Sequence, residues 1–190
     1  MYVTRAILSA AEEQLGAPNE MTMTYEILPS ELAMIRASQR HGRAHDVTTV
    51  LNSGHEVLAI AKHSYPSSVY RIPGGGLQPG EPLAAGAARE AYEETGLTFT
   101  PDQYLLRVSA KFTSGADSLD WTTHIVSGTT PSAQPDPVDL HEIREARWVA
   151  WDELLGPITE LMRETGKPLF AYRIALHRAT FAEMCERGLL

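Results

Sequence analysis

Cysteine is almost missing from this chain. Cys185 is the sole one among 190 residues, so no disulfide can form within the chain, and its use fits a reducing cytoplasm. Basic charge is also scarce. Sixteen Lys and Arg face 24 Asp and Glu, for a formal net charge of −8, and no basic block stands out. Nucleic-acid backbones are gripped mainly by Lys and Arg, so no nucleic-acid partner is expected. No apolar run approaches the roughly 20 residues that span a bilayer, so no membrane partner is expected either. The opening stretch MYVTRAILSAAEEQLGAP reads as an amphipathic helix and poorly as a secretion signal, since Glu12 and Glu13 interrupt it. Internal repeats and low-complexity tracts are absent. A P-loop is excluded, because the glycine run at 74–76 is not followed by Gly-Lys-Ser/Thr.

What is present reads as alternating helices and strands. Residues 3–15 predict a helix closed by Gly16 and Pro18. Met21 to Leu28 predicts a strand, and Ser30 after Pro29 predicts the N-cap of a helix running to about Gln39. HDVTTVLN and EVLAIAKH predict a hairpin about Asn52-Ser53-Gly54, with SSVYRIP as a further short strand. Helix is expected over 82–95, and two long strands around Gly115-Ala116-Asp117. A proline-rich loop then precedes the strand EARWVAW, and helices follow from Asp152 and over 169–187. The order predicts an α/β fold, a mixed sheet covered by helices. Residues 1–45 read as an extension packed on the same core, and 46–190 as the principal domain.

One segment carries the chemistry. GGLQPGEPLAAGAAREAYEETGL, 75–97, holds Glu81, Glu90, Glu93 and Glu94 with Arg89 as its one basic residue. Pro82 suits a first helical turn and Gly96 the residue past the last. At about 100° per residue Glu90, Glu93 and Glu94 project into one sector, beside a face of small alanines. Arg89 stands one turn from Glu93 and can steady it. Carboxylates so crowded repel unless a cation sits among them, and a hard ion such as Mg²⁺ takes oxygen ligands of this kind.

The spacing resembles the Nudix box. Its positions are Gly75, Glu81, Arg89, Glu90, Ala91, Glu93, Glu94, Gly96 and Leu97, with Ala91 smaller than the usual aliphatic. The resemblance implies a Nudix-type α/β/α sandwich with a loop–helix–loop motif. It also implies hydrolysis of a nucleoside diphosphate linked to a group X, a small-molecule substrate. By the same resemblance Glu90, Glu93 and Glu94 hold Mg²⁺, with Mn²⁺ as a substitute, and the Gly75 carbonyl joins them. Arg89 orients a glutamate, and Glu81 braces the loop or binds an outer metal. The loop before EARWVAW carries a catalytic acid in similar proteins, and Glu142 is the first choice among Asp136, Asp139, His141 and Glu142.

Around the box, Arg71 is close enough to the glycine run to contact phosphate, and Lys62 and Lys111 alternate with apolar neighbours so that each can face a cleft. Tyr65, Tyr70 and Trp121 are candidates for stacking on a base. No role is read for the histidines or for Cys185. The substrate stays unnamed. The proline that marks ADP-ribose-type members falls near Phe112, and the arginine-rich signature of the coenzyme A type is not matched. An alternative reading is a Nudix-like sensing module that binds nucleotide derivatives without turnover, which the intact Arg89, Glu90, Glu93 and Glu94 oppose. An isoprenoid diphosphate isomerase is disfavoured because Cys185 lies far from the box. Related folds often pair, which makes the N-terminal helices a candidate homodimer surface.

Overall fold

The structure is a computed structural model, and it describes residues 3–39, 42–131 and 133–190. Helix α1 (Arg5–Leu15) starts where the Thr4 side chain accepts from the Ile7 N–H at 3.3 Å. Strand β1 (Asn19–Glu26) follows, then α2 (Pro29–Ser38). Pro29 occupies the first turn of α2, and the helix is capped otherwise than Ser30 would do it. Glu31 reaches back to accept the Leu28 N–H at 3.0 Å. Its other oxygen accepts the Leu169 N–H at 3.2 Å, so one carboxylate ties two helix starts together.

Strands β2 (His45–Ser53) and β3 (Glu56–Lys62) leave the predicted turn, but they pair only at Asn52↔Val57 and Ser53↔Glu56. Beyond that point they diverge. The gap is filled by residues 71–76. Arg71 bridges to Ile60, the Thr49 N–H donates to the Pro73 carbonyl, and β4 (Gly74–Gly76) pairs antiparallel with Asp46–Thr48. The predicted strand SSVYRIP therefore survives only as the single Arg71 bridge. A three-glycine strand, which low β-propensity conceals, lies just after it.

Helix α3 (Leu83–Thr95) runs from Pro82 and ends at Gly96, whose φ of 71° puts it in the left-handed region. Strands β5 (Thr100–Ser114) and β6 (Asp117–Thr129) form a long hairpin, and β7 (Ile143–Ala150) closes the set. Helix α4 (Trp151–Glu153), a π-helical stretch (Leu154–Ile158), α5 (Thr159–Glu164) and α6 (Pro168–Glu186) complete the chain. The seven strands make one mixed sheet in the order β1-β5-β6-β2-β3-β7, with β4 beside β2. β1 pairs parallel with β5, and β2 parallel with β6.

Helices cover both faces, as in an α/β/α sandwich. On one, Ala11 and Leu15 of α1 and Leu83, Ala87 and Ala91 of α3 bury against Val47, Leu51 and Val126. The small residues of α3 let it lie close to the sheet. On the other, Leu32 and Ile35 of α2 and Phe170, Tyr172 and Ile174 of α6 bury against Val50, Phe112, Trp121 and Ile125. No described helix is long and apolar enough to cross a membrane.

Candidate active site

Each glycine of β4 faces a different neighbour. A Cβ on Gly74 would lie 2.2 Å from the Val47 carbonyl, one on Gly75 2.2 Å from Glu90 Oε2, and one on Gly76 1.8 Å from Arg43 Nη1. The strand thus lies pressed between β2, a carboxylate of α3 and a guanidinium from the segment before β2. Glu90, Glu93 and Glu94 of α3, Gly74–Gly76, Lys62 and Glu142 all border one cleft of about 700 Å³. Its far wall comes from α2 and α6, with Met34, Ile35, Phe170 and Arg173 among its residues.

Arg89 organises the glutamates. It donates through Nε and Nη2 to Glu81 at 2.8 and 2.9 Å, through Nη1 to Glu90 at 2.8 Å and Glu93 at 3.0 Å, and through Nη2 to the Gly76 carbonyl at 2.9 Å. The hydrogen bond to Glu81 is the largest influence holding its pKa above the ordinary arginine value. Glu81 also accepts the Gln78 N–H at 2.9 Å, which ties the loop to the helix. Burial pushes its carboxyl up, but the hydrogen bonds from Arg89 and Gln78 prevail and leave it below the usual range.

Glu90 is pushed up to about 7, first by burial; Arg89 opposes the shift, and the charges of Glu94 and Glu93 add to it. Glu94 is 3% exposed. It accepts from Arg71 Nη2 at 2.9 Å and from the Gly74 N–H at 2.6 Å, with Lys62 Nζ at 3.6 Å. Lys62 also bonds Glu142, so the loop carboxylate and the helix carboxylate share one ammonium.

Arg71 and Lys62 border the cleft where phosphate contacts were expected, yet both are engaged by the protein. Arg71 is 2% exposed and also donates to the Ile72 and Gly74 carbonyls, each at 2.8 Å. Burial works against its charge, and Glu94 more than offsets this, so its pKa lies above the ordinary value. Lys111 is exposed and is absent from the cleft wall. Trp121 borders the cleft and donates to Asp46 Oδ1 at 3.0 Å. Tyr65 borders it too, edge-on to Phe170 with centroids 5.2 Å apart. Tyr70 faces elsewhere, donating to Glu145 at 2.9 Å beneath the Arg147 guanidinium. Sequence reasoning passed over Arg43 and Asp46, which carry no motif and reach the cleft only because β2 opens there.

Among the described residues, no group of three or more His, Cys, Asp and Glu side chains is arranged to hold a metal ion. The box carboxylates share the cleft, but arginines, Lys62 and a backbone N–H occupy their oxygens. Their chemistry nevertheless suits a hard divalent cation, which takes carboxylate and carbonyl oxygens of this kind.

A mixed sheet between helical layers, with a glutamate-bearing helix set against a glycine strand at the mouth of a cleft, defines the class. A NUDIX domain model matches residues 40–171, more than half of the chain, and the chain belongs to the Nudix family. Among solved structures it is similar to a NUDIX hydrolase from Nitrosomonas europaea, at 23% identity over 66% of this chain and 91% of that one, with a TM-score of 0.48. It is also similar to a MutT NUDIX hydrolase from Burkholderia pseudomallei, at 20% identity over 57% and 84%, TM-score 0.46. A third is an ADP-ribose pyrophosphatase from Streptococcus suis, at 12% identity over 57% and 74%, TM-score 0.42.

Proposed function

We propose that the chain hydrolyses the pyrophosphate bond of a nucleoside diphosphate derivative, releasing a nucleoside monophosphate and phosphorylated X, with Mg²⁺ or Mn²⁺ as cofactor. The observation that carries this reading is the gathering of Glu90, Glu93, Glu94 and Glu142, from two separate segments, on one cleft roomy enough for more than a bare diphosphate.

Glu90, Glu93 and Glu94 would hold the ion, with the Gly75 carbonyl as a further oxygen. Such an ion would offset phosphate charge and lower the pKa of a water beside it. Arg89 and Glu81 keep the carboxylates aimed at the cleft, and Arg71 holds Glu94 from behind. Glu142 is the acceptor for the water proton, kept beside Glu94 by Lys62. Lys62 is then free to turn from Glu142 to a substrate phosphate.

The test is a panel of nucleotide derivatives incubated with Mg²⁺ or Mn²⁺, with released mononucleotide read by chromatography. Turnover that stops on adding EDTA is the expected result. Tight binding without turnover would overturn the reading in favour of a sensing module.

A further inference from the structure

Most charged side chains of the cleft are engaged by the protein; Lys167, exposed at its edge, makes no ion pair among the described residues. Asp46 accepts from Trp121 at 3.0 Å and from Thr123 at 2.5 Å, and its second oxygen is 3.8 Å from Arg173. Both oxygens of Glu31 cap helices. Arg71 and Arg89 are spent on glutamates and carbonyls, and Lys62 stands between Glu94 and Glu142.

Arg43 is different. Its Nε is buried without a hydrogen-bond partner, and among the described residues its guanidinium makes no ion pair. It is nevertheless held in place. The Trp121 ring centroid lies 5.8 Å from Cζ, and Nη1 occupies the space that a Cβ on Gly76 would need. Arg43 is half-buried, and a guanidinium held in place with a buried N–H that has no acceptor and with no counter-charge presents a donor set that a ligand can complete.

Its position indicates which ligand. Gly75 receives the Glu90 carboxylate on one face of β4 and Gly76 receives Arg43 on the other, and both side chains border the same cleft at that strand. A guanidinium offers paired N–H donors that match phosphate oxygens.

We propose that Arg43, seated on Gly76 against Trp121, is a phosphate-binding residue that grips a diphosphate in this cleft independently of any metal. The assignment rests on the proposed diphosphate chemistry for its biological meaning, but its test does not.

The experiment is calorimetric titration of inorganic pyrophosphate into the full chain in EDTA, with Mn²⁺ binding followed separately by electron paramagnetic resonance. One charge-assisted contact corresponds to a roughly 10- to 100-fold change in affinity. Arg43→Ala should weaken pyrophosphate binding by about that factor while leaving Mn²⁺ binding and the melting temperature unchanged. Gly76→Ala, which keeps the charge but takes the seat of Nη1, should weaken it in the same direction. Equal pyrophosphate affinity in wild type and Arg43→Ala would overturn the assignment, as would wild type that binds none at millimolar concentration. Arg43-dependent binding in a protein that cleaves no nucleotide would support the assignment and defeat only the proposed reaction.

Discussion

Glu90 and Arg89 show how single residues set the behaviour of this site. Burial pushes the Glu90 carboxyl up to about 7 against an ordinary 4.5. The folded state therefore holds a proton that the unfolded chain has released, and stability is lost as pH rises through that interval. Denaturation in EDTA between pH 5 and 8 should show this decline, Glu90→Gln should flatten it, and Mg²⁺ should restore the wild type at the upper end. An unchanged pH dependence in Glu90→Gln would contradict it. Arg89→Ala removes hydrogen bonds from Glu81, Glu90, Glu93 and the Gly76 carbonyl together. Because the guanidinium is partly exposed, the expected loss is about 1–3 kcal/mol, measurable by urea denaturation, with turnover falling by orders of magnitude. Spacing alone placed these glutamates on one face, because a helix maps sequence interval onto direction. It was silent on Arg43 and on the engagement of Arg71, since both depend on how strands distant in sequence come together.

At the scale of elements, the parting of β2 from β3 creates the site. Once the two strands separate, Arg71–Gly76 enters the gap and brings the glycines beneath α3. The hairpin itself was legible in Asn52-Ser53-Gly54, but its early end was not, because both runs keep their strand-like composition past the point where pairing stops. The three glycines then differ in tolerance. Gly74→Ala meets the Val47 carbonyl and the Thr48 Cα at 2.2 and 2.8 Å with φ at 151°, so backbone must shift. A loss of about 2–4 kcal/mol is expected. Gly76→Ala meets only the tip of Arg43, and its melting temperature should stay within a few degrees of wild type. Thermal melts of the pair check this order, and equal destabilisation would argue against the β4 placement.

Across the whole molecule, the N-terminal residues belong to the same sheet and core as the rest. β1 covers the edge of β5 from Leu106 to Thr113, α1 packs against α3, and Asn19 donates to Glu183 of α6 at 3.0 and 2.8 Å. Deleting residues 1–27 should bare a long strand edge and an apolar face, giving aggregates in size-exclusion chromatography. A soluble monomer with an unchanged melting temperature would count against that. Two histidines carry the opposite pH sign to Glu90. His124 and His177 are lowered to about 3 by burial, with nearby cationic groups adding to it. Their stabilisation is complete above the ordinary 6.5 and is withdrawn as pH falls toward 3. Of the seven histidines, these two should give imidazole resonances that do not titrate between pH 8 and 5; normal titration of either would refute its neutral burial. The composition hid both, because a histidine on an apolar strand or helix looks the same whether it is buried or wet.

The parallel pairing of β1 with β5 also fixes an order of events during synthesis. Asn19 aligns with Leu106, so the ribosome must add 106 − 19 = 87 further residues before the first strand meets its neighbour. Until then β1 emerges with no strand to pair with. The beginning of the chain thereby waits for a neighbour translated long after it.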